Sequence, residues 1–337
     1  MKVKSRKSRT NRFRRRAVAI AAMMNAACVL NAVAHAAATD YPSRPVRLLV
    51  PFAPGGGSDA LARVLTPKLT EGMGQQWVVD NRAGAGGNIA AETVARAAPD
   101  GHTVFLGFST VLTVNPHLYK LSFDPVKDLQ PVTLLATAQY MLVVHQAVAA
   151  SSVKDLVALA RQKPKLLNYA SAGVGSPLHL AGELLQRRAG IQMVHIPYKG
   201  GGPAAAAVIG GEAQVIFGSV ASSLPHVKSG RLKALATTGL KRSKVAPELP
   251  TMAESGYPGF DVTTWYALML PAGSPPRVAG RLAEEAGKAL QRSDVQQVMA
   301  GQGLEAETST DSALRERIAA EIRLWGEVIR AAGIKAE

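Results

Sequence analysis

Two side chains that could act as a nucleophile and a general base, Ser176 and His179, lie three positions apart. Residues at this spacing share one face of a helix, and a serine-type hydrolase needs such a contact together with an orienting acid. The Gly-x-Ser-x-Gly turn that exposes many nucleophilic serines does not occur in the sequence. A simpler interpretation is that Ser176 caps a helix and His179 packs near its start, with or without contact to a ligand. A hydrolase that uses this pair therefore stays an alternative hypothesis.

Metal binding and nucleotide binding have weaker support in the sequence. The histidines after residue 38 are dispersed, without a His-Glu-x-x-His motif, and the chain has one cysteine, so we expect no metal and no other cofactor. Residues 55–60 read Gly-x-Gly-x-x-Ala and Asp80 ends the next predicted strand, which resembles a dinucleotide fingerprint. However, Pro51 and Pro54 place a long stiff step before the glycines, where that fingerprint needs a tight turn.

Four glycine-rich loops, each directly before a predicted helix, carry the strongest chemical signal: 55–57, 84–87, 173–175 and 200–202. Small residues leave backbone N–H groups unblocked, and the start of a helix adds partial positive charge, so such a loop suits an anion. Each charge-assisted contact to a carboxylate contributes about 1.5–3 kcal/mol. A handful of these contacts supports micromolar affinity after the cost of immobilising the ligand.

The elements that must position these loops alternate between short apolar strands and helices, which is typical of α/β proteins with mainly parallel sheets. In the first unit, residues 46–50 form an apolar run that Pro51 and Pro54 end. Ser58 or Asp59 would cap the helix that follows. In open α/β sheets such loops meet at the carboxyl edge, where ligands bind. Predicted strands are 46–50, 76–80, 103–107, 132–136, 141–145, 168–170, 193–197, 215–218, 232–237 and 262–270. Predicted helices begin near 59 and 203 or span 89–98, 152–161, 177–188, 282–290, 295–299 and 314–329.

The order of strand, glycine loop and helix occurs twice along the chain, which predicts two similar lobes joined by two crossings and a hinge. Residues 39–138 and 262–337 form the discontinuous domain 1 of this prediction, and residues 139–261 form domain 2. The ligand cleft would lie between the two domains.

Residues 1–38 are typical of an export signal, with nine Lys and Arg residues, then an apolar stretch, then two Ala-x-Ala sites. We predict cleavage near Ala36–Ala38 and a periplasmic protein. The apolar stretch is interrupted by Asn25 and Asn31, which argues against a permanent membrane span. A twin-arginine route and a lipid anchor on Cys28 stay open as alternatives.

Removing the signal changes the charge of the chain. The full sequence has a formal net charge of +15, whereas 30 Lys and Arg against 24 Asp and Glu leave +6 after residue 38. This modest excess favours anionic small molecules and gives little support to nucleic-acid binding. Because Cys28 is the only cysteine, the remaining chain has no disulfide and no thiolate chemistry.

Seven segments, in order along essentially all of the chain after residue 38, resemble the motifs of the Bug family, the extracytoplasmic solute receptors of tripartite tricarboxylate transporters. The segments are 41–59, 81–88, 98–103, 171–180, 196–204, 249–256 and 270–275. The resemblance implies a two-lobed Venus flytrap periplasmic binding protein, type II-like, with a mainly parallel sheet flanked by helices in each lobe. It also implies a small carboxylate ligand, no enzymatic activity and a monomer. The partners would be the membrane subunits of a transporter, or a sensing pathway.

The same resemblance implies which residues contact the ligand. Two loops of the first lobe would hold one carboxylate, partly through water, and the second lobe would add hydroxyl, imidazole and loop contacts. The predicted ligand-binding residues are Phe52, Ala53, Pro54, Gly55, Gly56, Gly57, Ser58, Asp59, Ala83, Gly84, Ala85, Gly86, Ser109, Ser171, Gly175, Ser176, His179, Tyr198, Lys199, Gly200 and Gly218.

Relatives in this family often have an acid where this chain has Gly218. Its absence favours the hypothesis that the ligand has no ammonium group. Three aromatic residues at strand–loop edges, Phe52, Tyr198 and Trp265, either pack on the carbon skeleton of a ligand or close the core.

Overall fold

The computed structural model of the protein describes residues 41–335, and the residues from Arg44 onward form one compact unit. The predicted signal segment and its cleavage site therefore lie outside the described residues. Within the described range, no helix combines the length and the apolar character that crossing a bilayer requires.

Strands and helices alternate along the described chain, as the apolar runs predict. The strands are β1 Val46–Val50, β2 Trp77–Asn81, β3 Thr103–Phe108, β4 Leu129–His145, β5 Asn168–Ser171, β6 Val194–Pro197, β7 Val215–Ser219, β8 Leu232–Thr237, β9 Thr263–Pro271 and β10 Glu305–Ala306. The helices are α1 Gly57–Met73, α2 Asn88–Ala95, α3 Ser109–Thr113, α4 Asn115–Leu118, α5 Val153–Gln162, α6 Pro177–Ala189, α7 Gly201–Ile209, α8 Val220–Lys228, α9 Pro276–Leu290, α10 Ser293–Gly301 and α11 Asp311–Ala332.

The α/β fold class is confirmed, and the sheet pairing is mixed rather than mainly parallel. The strands follow the order β2-β1-β3-β9-β4-β7-β5-β6, with β8 and β10 also paired to β4. Pairs of β1 with β2 and β3, and of β5 with β6 and β7, are parallel. Every pair that includes β4 or β9 is antiparallel, and these two strands lie next to each other in the middle of the strand order.

The two strands predicted at 132–136 and 141–145 are in fact one 17-residue strand, β4. Its first part pairs with β9 as far as Gln139 opposite Thr263, and its second part pairs with β7 from Tyr140 opposite Ser219. The polar residues between the predicted strands suggested a break, but the ladder simply changes partner there. The division into two domains stays a prediction.

Local hydrogen bonds explain two departures from the predicted helix starts and ends. Helix α1 begins at Gly57 with Gly56 at its N-cap, so Ser58 and Asp59 lie inside the first turn instead of capping it. Helix α2 ends at Ala95, before the predicted end at residue 98, because the Ala97 N–H donates to the Val94 carbonyl and tightens the last turn.

The Thr251-x-x-Glu254 motif makes both bonds of a capping box without a helix. The Thr251 N–H donates to Glu254 Oε2 at 2.7 Å, and the Glu254 N–H donates to Thr251 Oγ1 at 3.0 Å. The residues that follow form a turn. The motif therefore organises a loop here.

Trp265 closes the core. Its side chain is fully buried, and its indole N–H donates to Glu321 of α11 at 2.8 Å. Because successive strand residues point to opposite faces, the next residue, Tyr266, points the other way.

Candidate functional site

The first glycine loop leads into α1 beside the phenol of Tyr266. A Cβ atom placed on Gly57 would lie 3.2 Å from the Tyr266 hydroxyl oxygen. Tyr266 is buried and hydrogen-bonds to the Ser58 side chain. Burial raises the pKa of Tyr266, so the phenol stays a hydrogen-bond donor at neutral pH. The loop, the Ser58 hydroxyl and the phenol therefore form one group of polar atoms.

Not every backbone N–H of the first loop is free for a ligand. The Gly55 N–H donates to Asp59 Oδ2 at 3.0 Å, and that carboxylate also accepts from Arg63 at 2.9 Å. The Arg63 guanidinium holds the pKa of Asp59 below its usual range, and desolvation opposes this shift. Among the described residues, the N–H groups of Gly56 and Gly57 donate to no acceptor. They are the available anion donors of this loop.

An aromatic cluster of Phe52, Phe108 and Tyr266 lies next to this loop. The ring centroids of Phe52 and Phe108 are 5.0 Å apart, and those of Phe108 and Tyr266 are 5.3 Å apart, both edge-on. Edge-to-face packing at these distances fixes the rings. The cluster offers an apolar wall beside the polar atoms.

The second glycine loop lies against the first. The Asn81 side-chain amide donates to the Phe52 carbonyl at 2.9 Å. The Asn115 amide donates to the Gly86 carbonyl at 3.1 Å. Gly84 and Gly86 have positive φ, and so does Ala85 between them with φ +47°, a conformation that costs energy outside glycine. Ala83 precedes this turn and is exposed.

Ser109 has a different environment from the one predicted. Ser109 is the first residue of α3 instead of a loop residue, and it is buried. Its Oγ accepts from the backbone N–H of Trp265 at 3.4 Å. It lines a cavity of about 20 Å³ together with Pro177 and Leu180 of α6. That volume holds about one water molecule.

The third glycine loop is held by serine side chains. Ser171 Oγ accepts from the Gly173 N–H at 3.1 Å and lies 2.6 Å from His195 Nε2. Ser176 caps α6, accepting from the His179 N–H at 3.3 Å, while its hydroxyl donates to the Gly173 carbonyl at 2.7 Å. These bonds fix the loop independently of any ligand.

The third loop lies against α4, the short helix that follows β3 and α3. A Cβ atom on Gly175 would lie 2.6 Å from Leu118 Cδ1 at the end of α4. Helix α4 also supplies Asn115, which holds the second loop at Gly86. The structure therefore brings the second and third loops to the same short helix.

His179 does not activate Ser176. Its ring is buried, and Nδ1 accepts from the Gly175 N–H at 3.1 Å. The ring stacks on His195 with centroids 3.8 Å apart and planes 5° apart. Its bond to Ser176 runs through the backbone N–H, whereas a nucleophilic serine needs the ring nitrogen. The hydrolase hypothesis therefore has no geometric support.

The stacked pair predicts a pH dependence of stability. Burial lowers the pKa of His179 to about 3, aided by His195, and burial lowers the pKa of His195 to about 4, against 6.5 for an ordinary histidine. Between pH values of about 3 to 4 and 6.5, the unfolded chain therefore binds more protons than the folded protein, and the free energy of unfolding rises with pH. We expect a contribution that is complete above about pH 6.5 and lost toward pH 4, with a slope of up to about 1.4 kcal/mol per pH unit for each histidine.

Urea denaturation between pH 4 and 7 measures this slope. A His179→Gln/His195→Gln double variant should show a flatter dependence than the wild type, and His145→Gln should keep the wild-type slope. An unchanged slope in the double variant would contradict the assignment.

The remaining predicted residues lie at the edges of β6 and β7. The Tyr198 N–H donates to the Ser171 carbonyl at 3.0 Å, and its phenol hydrogen-bonds to Glu212. Lys199 is exposed, and Gly200 is the N-cap of α7 with φ +113°. Tyr198 thus joins the third and fourth loops.

Gly218 has a packing role that the sequence did not reveal. A Cβ atom there would lie 2.3 Å from the Oγ of Ser223, which is buried. A larger residue therefore requires Ser223 to move.

Sequence reasoning missed Tyr140 and Tyr266. The Tyr140 hydroxyl on β4 lies 2.5 Å from Thr264 Oγ1 on β9, and burial raises the pKa of Tyr140 to about 12. Tyr266 sits in an apolar strand and looks like a core residue, whereas Tyr140 lies in the polar stretch between two predicted strands. Strand alternation beside Trp265 was the one available signal for Tyr266.

The arrangement suits binding by hydroxyls and backbone N–H groups. Among the described residues, no cluster of three or more His, Cys, Asp and Glu side chains has the geometry to hold a metal ion.

Comparison with known proteins assigns the family. A family model described as "Tripartite tricarboxylate transporter family receptor" matches residues 61–334. The chain belongs to this receptor family. The receptor is 38% identical over 300 residues to protein BugT of Bordetella pertussis, covering 88% of this chain and 92% of BugT.

Solved structures agree with this assignment. The receptor resembles R. palustris Rpa4515 with adipate at 33% identity and a TM-score of 0.72, covering 88% of this chain and all of that one. It resembles MatC of Rhodopseudomonas palustris with bound malate at 32% identity and a TM-score of 0.68, covering 86% and 99%. The receptor therefore has the α/β fold of periplasmic binding proteins and belongs to a family of non-enzymatic solute receptors.

Proposed function

We propose that this receptor captures a small carboxylate in a cleft between two domains. Residues 39–138 together with 262–337 would form one domain, and residues 139–261 would form the other. Delivery to a tripartite tricarboxylate transporter or a sensing pathway would follow. The supporting observation is the convergence of donors: Gly56 and Gly57 N–H groups, the Ser58 hydroxyl and the Tyr266 phenol lie together. The adipate and malate bound by structural relatives support the same ligand class.

The ligand would be bound without a direct partner of opposite charge in the first loop. The Arg63 guanidinium is already paired with Asp59, so the carboxylate of the ligand meets only N–H and O–H donors in this loop. The aromatic cluster would contact the carbon skeleton. The 173–176 loop and Tyr198 to Gly200 would approach from the other side.

A thermal-shift screen of carboxylic acids, followed by calorimetry and product analysis, tests this function. Saturable stabilisation by a carboxylate without turnover supports a receptor. Absence of any carboxylate ligand, or conversion of one into product, would contradict it.

Selectivity against an ammonium group is a separate prediction. Position 218 has no carboxylate, and an ammonium desolvated in the cleft without a partner is costly. We expect succinate and glutarate to bind at least about tenfold more tightly than aspartate and glutamate. Competition calorimetry against the best carboxylate measures this ratio. Displacement by aspartate or glutamate at equal or lower concentration would refute the hypothesis.

We also propose that the protein is exported to the periplasm. The signal segment, 1–38, would direct the protein to the periplasm, in keeping with a family of periplasmic binding proteins. The membrane subunits of a transporter would be its partners, and the receptor would act as a monomer. The N-terminal sequence of the protein recovered from the periplasm tests cleavage near Ala36–Ala38.

A further inference from the structure

A second cavity, of about 350 Å³, lies beside β4 and β9, the two strands that cross from one half of the strand order to the other. None of the predicted ligand-binding residues lines it. Its walls come from β4, β9, the loop after β8, the segment around β10, and α11. We call it the crossing-strand pocket. Its volume falls in the range of small-molecule sites.

The more buried end of this pocket has an excess of carboxylates. Arg317 of α11 bonds Glu321 at 2.8 Å and lies 3.8 Å from Asp261, so two acids share one guanidinium. Glu307 adds a third carboxylate that repels Asp261. Three acids near one guanidinium leave an excess of negative charge, so this end favours a cation.

The exposed end of the pocket has an excess of amines. Lys241 and Lys244 line it, and neither forms an ion pair within residues 41–335. Arg242 between them is already held by Glu254, with bonds of 3.1 and 3.0 Å. This end favours an anion.

The walls between the two ends are fixed by hydrogen bonds. Glu305 Oε1 accepts from Ser243 Oγ at 3.1 Å and from the Lys244 N–H at 3.2 Å. The Gln139 amide donates to the Lys241 carbonyl at 3.1 Å, which leaves its buried Oε1 without a partner. A Cβ on Gly239 would lie 2.4 Å from Gln139 Cδ, so a larger residue there would require the Gln139 amide to move.

We propose that the crossing-strand pocket binds a small zwitterion of the amino acid class. Its ammonium group lies toward Asp261 and Glu307, and its carboxylate lies toward Lys241 and Lys244. This site is separate from the carboxylate cleft and does not depend on the function proposed above.

Calorimetry on the mature receptor with L-alanine tests the site. Propionate, which lacks the ammonium, and isopropylamine, which lacks the carboxylate, are the ligand controls. We expect L-alanine to bind at least about tenfold more tightly than either. A Lys241→Ala/Lys244→Ala variant should weaken binding at least about tenfold, and the exposed Lys228→Ala should not change it.

The cleft variant Gly57→Val separates this site from the cleft, because it should keep its affinity for L-alanine. Loss of L-alanine binding in Gly57→Val would place the zwitterion in the cleft and overturn the proposal. So would equal binding of propionate, or no heat with L-alanine. Both lysines are exposed, so their variants should fold, and their melting temperatures check this.

Discussion

Replacing Glu321 by alanine should lower the free energy of unfolding by about 2–4 kcal/mol. The Glu321 carboxylate accepts from the indole N–H of Trp265 at 2.8 and 3.0 Å and from Arg317 Nε at 2.8 Å. It also accepts from Thr113 Oγ1 at 3.3 Å. Removing it leaves a buried indole donor without an acceptor and leaves Arg317 with Asp261 alone, 3.8 Å away, which costs more than the net value of the bonds.

The matched control is Glu316→Ala on the same helix, because Glu316 is exposed. That change should stay within about 0.5 kcal/mol of the wild type. Glu321→Gln keeps an acceptor for Trp265 but removes the ion pair, so its loss should be intermediate. Urea denaturation measures all three. Equal losses for Glu321→Ala and Glu316→Ala would show that the cluster does not stabilise the fold.

Replacing Gly57 by valine should weaken carboxylate binding at least about a hundredfold. A Cβ at this position lies 3.2 Å from the Tyr266 hydroxyl, and the valine methyl groups extend into the space where a carboxylate would meet the phenol and the Gly56 N–H. Gly57 has no positive φ, so the backbone accepts the new side chain. The loss should therefore appear in affinity rather than in folding.

Gly280→Val is the matched control, since Gly280 lies in α9 and a Cβ there meets no atom within 4 Å. It makes the same substitution in a helix without reaching the site. Calorimetry with the carboxylate found in the screen measures both variants. Wild-type affinity in Gly57→Val would move the carboxylate away from this loop and refute the proposed cleft.

Local sequence features predicted the frame of the receptor well. Strand β1 has the predicted bounds, and Ser176 caps α6 as its position before Pro177 indicates. Both depend on contacts within a few residues, which a sequence shows directly. The continuity of β4 does not, because the partner that pairs with Gln139 lies more than a hundred positions away at Thr263.

The candidate site was predicted as a set of loops and not as a set of free donors. The sequence indicates that residues 55–57 expose N–H groups, but it does not show that Asp59 takes the one from Gly55. Similarly, His179 has the spacing to face Ser176 on α6, yet its ring is buried against His195, which lies on strand β6. Side-chain orientation at such positions depends on long-range packing.

The uninterrupted course of β4 has a mechanical consequence. Because β4 and β9 continue through the region where the ladder changes partner, opening the receptor would have to bend and twist paired strands instead of swinging about a loose joint. Bending a hydrogen-bonded ribbon stores elastic energy that grows with displacement. The strands on either side of this region would then fluctuate around one rest position, because every displacement meets an elastic restoring force.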